Sequence, residues 1–166
     1  MTEKAKIRTY DDRDSTAVGI LIADTFREFN LDYATPSEQS LLLGPFRHAR
    51  SLDPEHQSAI ARMIQAPMVF VAEDDGGIVG VLRGSAGRLH SLFVRKTEHG
   101  RGIGRGLVEH FERRCREQDT EKITLAASLY AVGFYQHLGY KRSTGVRHGP
   151  CFDGEGFPTQ PMKKRL

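Results

Sequence analysis

The stretch Leu92-Phe93-Val94-Arg95-Lys96-Thr97-Glu98-His99-Gly100-Arg101-Gly102-Ile103-Gly104-Arg105-Gly106-Leu107 decides the fold. Arg88 to Arg95 (RLHSLFVR) reads as a strand. Ile103, Leu107, Val108, Phe111 and Cys115 then fall on one side of a helix. Between strand and helix stand the glycines at 100, 102, 104 and 106, which allow backbone to approach a ligand closely. The first amides of such a helix have no intrahelical partner, and its dipole adds partial positive charge. The turn is therefore a candidate phosphate site, with Arg101 and Arg105 as charge support. A dinucleotide fingerprint would need Gly at i, i+2 and i+5, and the last position falls on Arg105 or Leu107. No Gly-Lys-Ser/Thr is present to end a P-loop.

Working outward, Met68 to Ala72, Ile78 to Arg83 and Arg88 to Arg95 read as three consecutive strands joined by glycine turns, an antiparallel meander. Upstream lie a short strand at Lys6 to Tyr10 and a helix with Val18, Leu21, Ile22, Thr25, Phe26 and Phe29 at helical spacing. Pro36 and Asp53-Pro54 open further short helices. Downstream come a strand at Lys122 to Ala127, a short helix capped by Ser128 and ended by Gly139, and a strand from Tyr140. A loop over residues 145 to 160 and a final strand near Gln160 to Leu166 follow. The order β-α-α-βββ-α-β-α-ββ is that of an α/β protein with a mixed, largely antiparallel central sheet and helices on both faces.

The 166 residues, 1–166, read as one domain, long enough to bury a core without disulfides or metal. Two cysteines, Cys115 and Cys151, are too few for a disulfide framework and lack zinc-ligand spacing. No stretch has the length of a membrane helix and no apolar segment opens the chain, so a cytoplasmic protein away from the membrane is expected. The net charge of +3 is unevenly spread: residues 83–116 hold nine Lys/Arg against three Glu. That excess suggests an anion site. Nucleic acid is not the expected partner, because Phe93 is the one aromatic residue in 83–110 and a stacking face needs several.

Two motifs resemble those of the GNAT N-acetyltransferases. Leu92-Phe93-Val94, four residues and then His99 to Leu107 is similar to that superfamily's acyl-CoA pyrophosphate loop. Ser128-Leu129-Tyr130-Ala131-Val132-Gly133-Phe134-Tyr135, continuing to Gly139-Tyr140, is similar to its second signature. His99 stands where the family usually carries Gln or Arg. The resemblance implies acetyl-CoA as co-substrate, held by Leu92, Phe93, Val94, His99, Gly100, Arg101, Gly102, Ile103, Gly104, Arg105, Gly106 and Ser128. It also implies direct attack by an amine, without an acyl-enzyme, so neither cysteine is required.

Tyr135 matches the family's general acid, and a phenol keeps its proton at neutral pH. His90 matches a histidine of the arylalkylamine N-acetyltransferases that serves proton removal, and is the candidate base. Strand alternation puts Arg88 on the face of His90, with Leu89 and Ser91 opposite. Arg88 should lower the pKa of His90 and attract a carboxylate of the acceptor. Glu73, Ser85 and Ser128 are weaker candidates for ordering a water. Phe29 and Tyr33, with Phe46, Arg47, His48 and Phe152, are candidates for the acceptor pocket. The expected acceptor is a small-molecule or peptide amine; the competing reading is a non-catalytic acyl-CoA-binding or sensing module. A final strand, if exposed, offers an edge for a homodimer.

Overall fold

Side chains that satisfy free amides set three of the helical starts. In the computed structural model, which describes residues 4–166, the 3-10 turn Asp12–Asp14 is bracketed by Asp11 and Asp14 and leads into α1 (Ser15–Asn30). Residues 1–3 of the expected domain lie outside the described residues. Thr35 and Glu38 cap one another at α2 (Pro36–Leu43), and Asp53 accepts from the Glu55 amide at 2.9 Å at α3 (Pro54–Ile64). The remaining helices are α4 (Ile103–Glu117) and α5 (Val132–His137). Among the described residues no helix is long and apolar enough to cross a membrane.

The strands are β1 (Lys6–Thr9), β2 (Met68–Asp74), β3 (Gly77–Ser85), β4 (Arg88–Val94), β5 (Lys122–Ser128), β6 (Lys141–Arg142), β7 (Arg147–Cys151) and β8 (Gly154–Arg165). They form one sheet in the order β1-β2-β3-β4-β5-β8-β6, with β7 also on β8. Among the described residues only β4 and β5 run parallel. Strand β2 alternates between the two faces: Met68, Phe70 and Ala72 pack with Leu107, Val108 and Phe111 of α4, and Val69 and Val71 with α1 and α3. Full burial of a side chain such as Phe111 contributes about 1.5–3 kcal/mol. The buried Glu112 accepts from Lys164 at 2.8 Å and from the Tyr140 hydroxyl at 3.3 Å, which ties α4 to β8.

The expected architecture holds, with corrections at its end. Three helices precede the meander. The segment read as a loop over 145–160 is mostly the hairpin β7–β8. Its glycines and prolines suggested a loop, but Pro158 and Pro161 fit into β8, whose partners are β7 and β5. The tight turn at Phe152, with φ +53°, lays its ring against Gly44. Strand β8 is paired on both sides, so it is not the free edge expected for a dimer. Ser128 precedes a 3-10 turn, Leu129–Ala131, and its side chain makes no capping bond.

A bulge interrupts β4. Arg83 pairs with Ser91 and Gly84 with Leu89, which leaves His90 as the extra residue. The alternation therefore shifts. Leu89, Leu92 and Val94 pack on the α4 side, whereas Ser91 accepts from Arg83 at 3.4 Å and Phe93 joins the α1–α3 core. Leu89 and Ser91 do not share a face, contrary to simple alternation. Gly84 sits beside this bulge, where a Cβ would lie 2.8 Å from both the Arg88 carbonyl oxygen and the Phe111 ring. Gly84→Ala should reduce unfolding free energy in urea by about 1–3 kcal/mol, the range for overpacking. An unchanged denaturation midpoint would show that the bulge yields without cost.

Candidate active site

Strands β4 and β5 are paired only at Arg88 with Thr124 and Leu89 with Leu125. Beyond these pairs β4 stays with β3 and β5 with β8. The strand ends part, leaving backbone groups of Leu92–Val94 and Ala126–Ser128 without a partner strand between them. A groove of about 610 Å³ occupies this opening, lined by Leu92, Phe93 and Val94 on one lip and Ser128, Tyr130 and Ala131 on the other. Phe29 and Asn30, at the end of α1, cover it from one face, and Phe134 and His137 of α5 from the other.

The N-terminus of α4 opens into the groove, and Gly100, Gly102, Ile103, Gly104 and Arg105 line it. The four glycines do different things. Gly100 and Gly102 have φ of +82° and +78°, and a Cβ on either would meet nothing within 4 Å. They shape the turn and leave open space. Gly104 accommodates Phe134, whose ring would lie 3.1 Å from a Cβ, and Gly106 accommodates Ile7 at the same distance. Gly106 does not line the groove, and its amide already donates to the Gly102 carbonyl at 2.9 Å. The amides left for an anion are those of the first turn, Ile103 to Arg105, so the expected role of Gly106 is corrected to packing.

The two loop arginines are already engaged. Arg101 is paired with the buried Glu98, and Arg105 with Glu109 at 3.2 Å. Their fields are partly compensated, so anion attraction falls mainly on backbone amides. His99 donates from Nε2 to the Val94 carbonyl at 2.9 Å, occupying an acceptor on the open strand end. Its ring lies 4.8 Å from Phe29, which stacks on Tyr130 at 5.1 Å. Three rings thus connect the two lips.

Tyr135 is 5% exposed and packed edge-on against Phe134 and Tyr140, and its hydroxyl has no hydrogen-bond partner among the described residues. It lies behind the Phe134 wall and is not itself a lining residue. Burial raises its pKa, so the phenol stays protonated. His90 and Arg88 sit where β4 and β5 are still joined, outside the groove lining. His90 Nε2 is 3.3 Å from the Ser85 hydroxyl, and Arg88 donates to Thr124 at 3.2 Å. Burial, then Arg83, then Arg88 lower the His90 pKa.

Other sequence candidates are elsewhere. Tyr33 is 58% exposed and does not line the groove. Phe46 is core, Arg47 pairs with Asp153, and His48 stacks on His56. Glu73 pairs with Arg8. Cys115 is buried, and Cys151, in β7, donates to the Leu42 carbonyl with its thiol pushed up to about 11 by burial. Thr25, Asn30, Glu98 and Tyr130 line the groove without having been singled out. Tyr130 was legible within the second motif; Thr25 and Asn30 carried no signal beyond helical spacing.

The acetyltransferase (GNAT) domain family matches residues 36–166. The chain belongs to the GNAT acetyltransferases. Acetyl transfer is the activity of this family at large. A GCN5-related N-acetyltransferase of Rhodopseudomonas palustris superposes with a TM-score of 0.81 at 18% identity, covering 100% of this chain and 98% of that one. A GNAT phosphinothricin acetyltransferase of Sinorhizobium meliloti, solved with AcCoA, gives 0.68 at 17% identity over 99% and 89%. These likenesses establish the fold. Glucosamine 6-phosphate N-acetyltransferase of Candida albicans is 36% identical over 58 residues, 35% of this chain and 39% of that enzyme. This GNAT chain thus spans about two fifths of the length of the curated relatives it matches.

Gly104→Val in this GNAT domain should drive a side chain into Phe134 beside the free amides. Calorimetry with CoA should register at least tenfold weaker binding, a difference of about 1.4 kcal/mol. Wild-type affinity in a folded Gly104→Val variant would remove the α4 N-terminus from the site.

Proposed function

We propose that this chain is an N-acetyltransferase that moves the acetyl group of acetyl-CoA directly onto a primary amine. The observation that carries the reading is the groove between the parted ends of β4 and β5, with the free amides of α4 at its mouth. In this reading the pyrophosphate rests on the amides of Ile103 to Arg105. The pantetheine arm runs along Leu92–Val94 and displaces His99 from the Val94 carbonyl. The amine nitrogen attacks the thioester carbonyl carbon and the carbon–sulfur bond breaks. The departing thiolate takes the phenolic proton of Tyr135, and the amine gives its proton to His90, directly or through water. Burial keeps the Tyr135 phenol protonated at neutral pH, so the proton that the first role requires is present. The lowered His90 pKa supports the second, because a neutral imidazole is needed to accept a proton.

A non-catalytic acyl-CoA-binding module is the second reading. It is favoured by one observation: neither Tyr135 nor His90 lines the groove. Free thiol release from acetyl-CoA over a panel of amines and peptides decides between the two. CoA binding with no amine-dependent thiol release would select the module.

Tyr135→Phe should lower kcat by roughly 10²-fold, the scale of general acid catalysis, with the acetyl-CoA Kd nearly unchanged. Wild-type turnover in this variant would make Tyr135 a packing residue. For His90 the sign follows from the base being the neutral form. As pH rises through its pKa, kcat/KM should rise, and that limb should lie below the ordinary histidine value of 6.5. Arg88→Ala should move the limb upward, and His90→Ala should abolish it or move it toward the pKa of the amine. An identical limb in wild type and His90→Ala would exclude His90 as the base.

A further inference from the structure

Arg8 and Arg83 are the two half-buried arginines among the described residues, and they are treated in opposite ways. Arg8 meets two carboxylates, Asp14 at 2.8 Å and Glu73 at 2.7 Å. Arg83 meets none. Its guanidinium donates to the Ile64 carbonyl at 2.8 Å, to the Gln65 carbonyl at 3.4 Å and to the Ser91 hydroxyl at 3.4 Å. Carbonyls at the end of α3 supply partial negative charge, but no full counter-charge. A partly buried cation is ordinarily paired, because desolvating it alone is costly.

The uncompensated charge is not isolated. Arg88 likewise has no carboxylate partner among the described residues and donates to the Thr124 hydroxyl. His90, the bulged residue, feels both arginines. Ser85 and Ser91 add hydroxyls beside them. These groups surround the place where β4 and β5 begin to part. The free amides of α4 are beyond the other end of β4, after Val94. Phosphates of a coenzyme held on those amides are therefore not the missing anion.

We propose that Arg83 and Arg88, with Ser91, form a subsite for an anionic group of the acetyl acceptor, which makes the acceptor a small primary amine carrying a carboxylate or a phosphate. The inference rests on the chain being an amine acetyltransferase. Arg88 is exposed and has a single neutral hydroxyl to release in reaching the anion, and Arg83 is held in place by the α3 carbonyls. The amine then lies beside His90.

The test uses matched amines that differ in the anion: phosphoethanolamine with ethanolamine, and phenylalanine with phenylalaninamide. In one pair or both, kcat/KM for the anionic member should exceed that of its neutral partner by on the order of tenfold or more, the scale of a charge-assisted hydrogen bond. The pair that responds tells phosphate from carboxylate. Arg88→Gln should bring the ratio toward one, and Arg88→Lys should restore part of it. A ratio of one or less in both wild-type pairs, or an unaltered ratio in Arg88→Gln, overturns the subsite and leaves acetyl transfer standing. A turnover-independent measurement separates the two readings. With CoA present to fill the coenzyme site, inorganic phosphate should shift the His90 ring resonance in NMR spectra of the wild type, and should not do so in Arg88→Gln. No shift in the wild type overturns the subsite whatever the acetylation assay gives.

Discussion

After Leu89 and Leu125 the parallel ladder between β4 and β5 stops, and the groove exists because of it. Each strand keeps its other neighbour, β3 on one side and β8 on the other, so the parting costs only the pairs that would have joined them. Unpaired backbone at the opened ends is then available to a ligand rather than to a strand. The bulge at His90 lies at the point of divergence, adds twist there and re-aims the side chains that follow. Gly84 opposite it is closely packed by Phe111 and the Arg88 carbonyl, so the hydrophobic core of α4 also holds the bulge.

Around this opening, charge is distributed by compensation. Glu98 and Glu109 engage the arginines of the glycine turn, which leaves dipolar amides as the main anion donors at the mouth of the groove. Amides do not reorganise or titrate, so a pyrophosphate would meet a preformed cradle. At the joined end the situation reverses: Arg83, Arg88 and His90 gather with hydroxyls and carbonyls and, among the described residues, without acids. The sheet thus carries two electropositive regions of different origin, and the length of β4 separates them.

Aromatic contacts give the groove its cover. Phe29 joins His99 on one lip to Tyr130 on the other, and Phe134 packs over Gly104. Dispersion between these rings holds α1, the glycine turn and the segment after β5 in one arrangement. Asn30, next to Phe29, has its side-chain oxygen buried in this cover without a partner.

The meander and the glycine turn were legible from residues 68–107, because strand alternation, hairpin turns and helical spacing are local rules. The Pro and Asp helix starts were legible for the same reason, and the two motifs placed the family. The β7–β8 hairpin was not, since prolines and glycines mark loops unless distant strands receive them, as β5 receives β8. Nor was the separation of Leu89 and Ser91 onto opposite faces, because a bulge is defined by the register of the partner strand. The division among four glycines was equally hidden: local sequence makes all four permissive, and only Phe134 and Ile7 turn two of them into packing positions. By itself the sequence determined the elements from β1 to α5, their order and the family, which follow from patterns close along the chain. Tertiary structure alone decided where β4 and β5 part, which arginines find acids and which residues line the groove. Those depend on residues far apart in the chain that meet only once both faces of the sheet are covered.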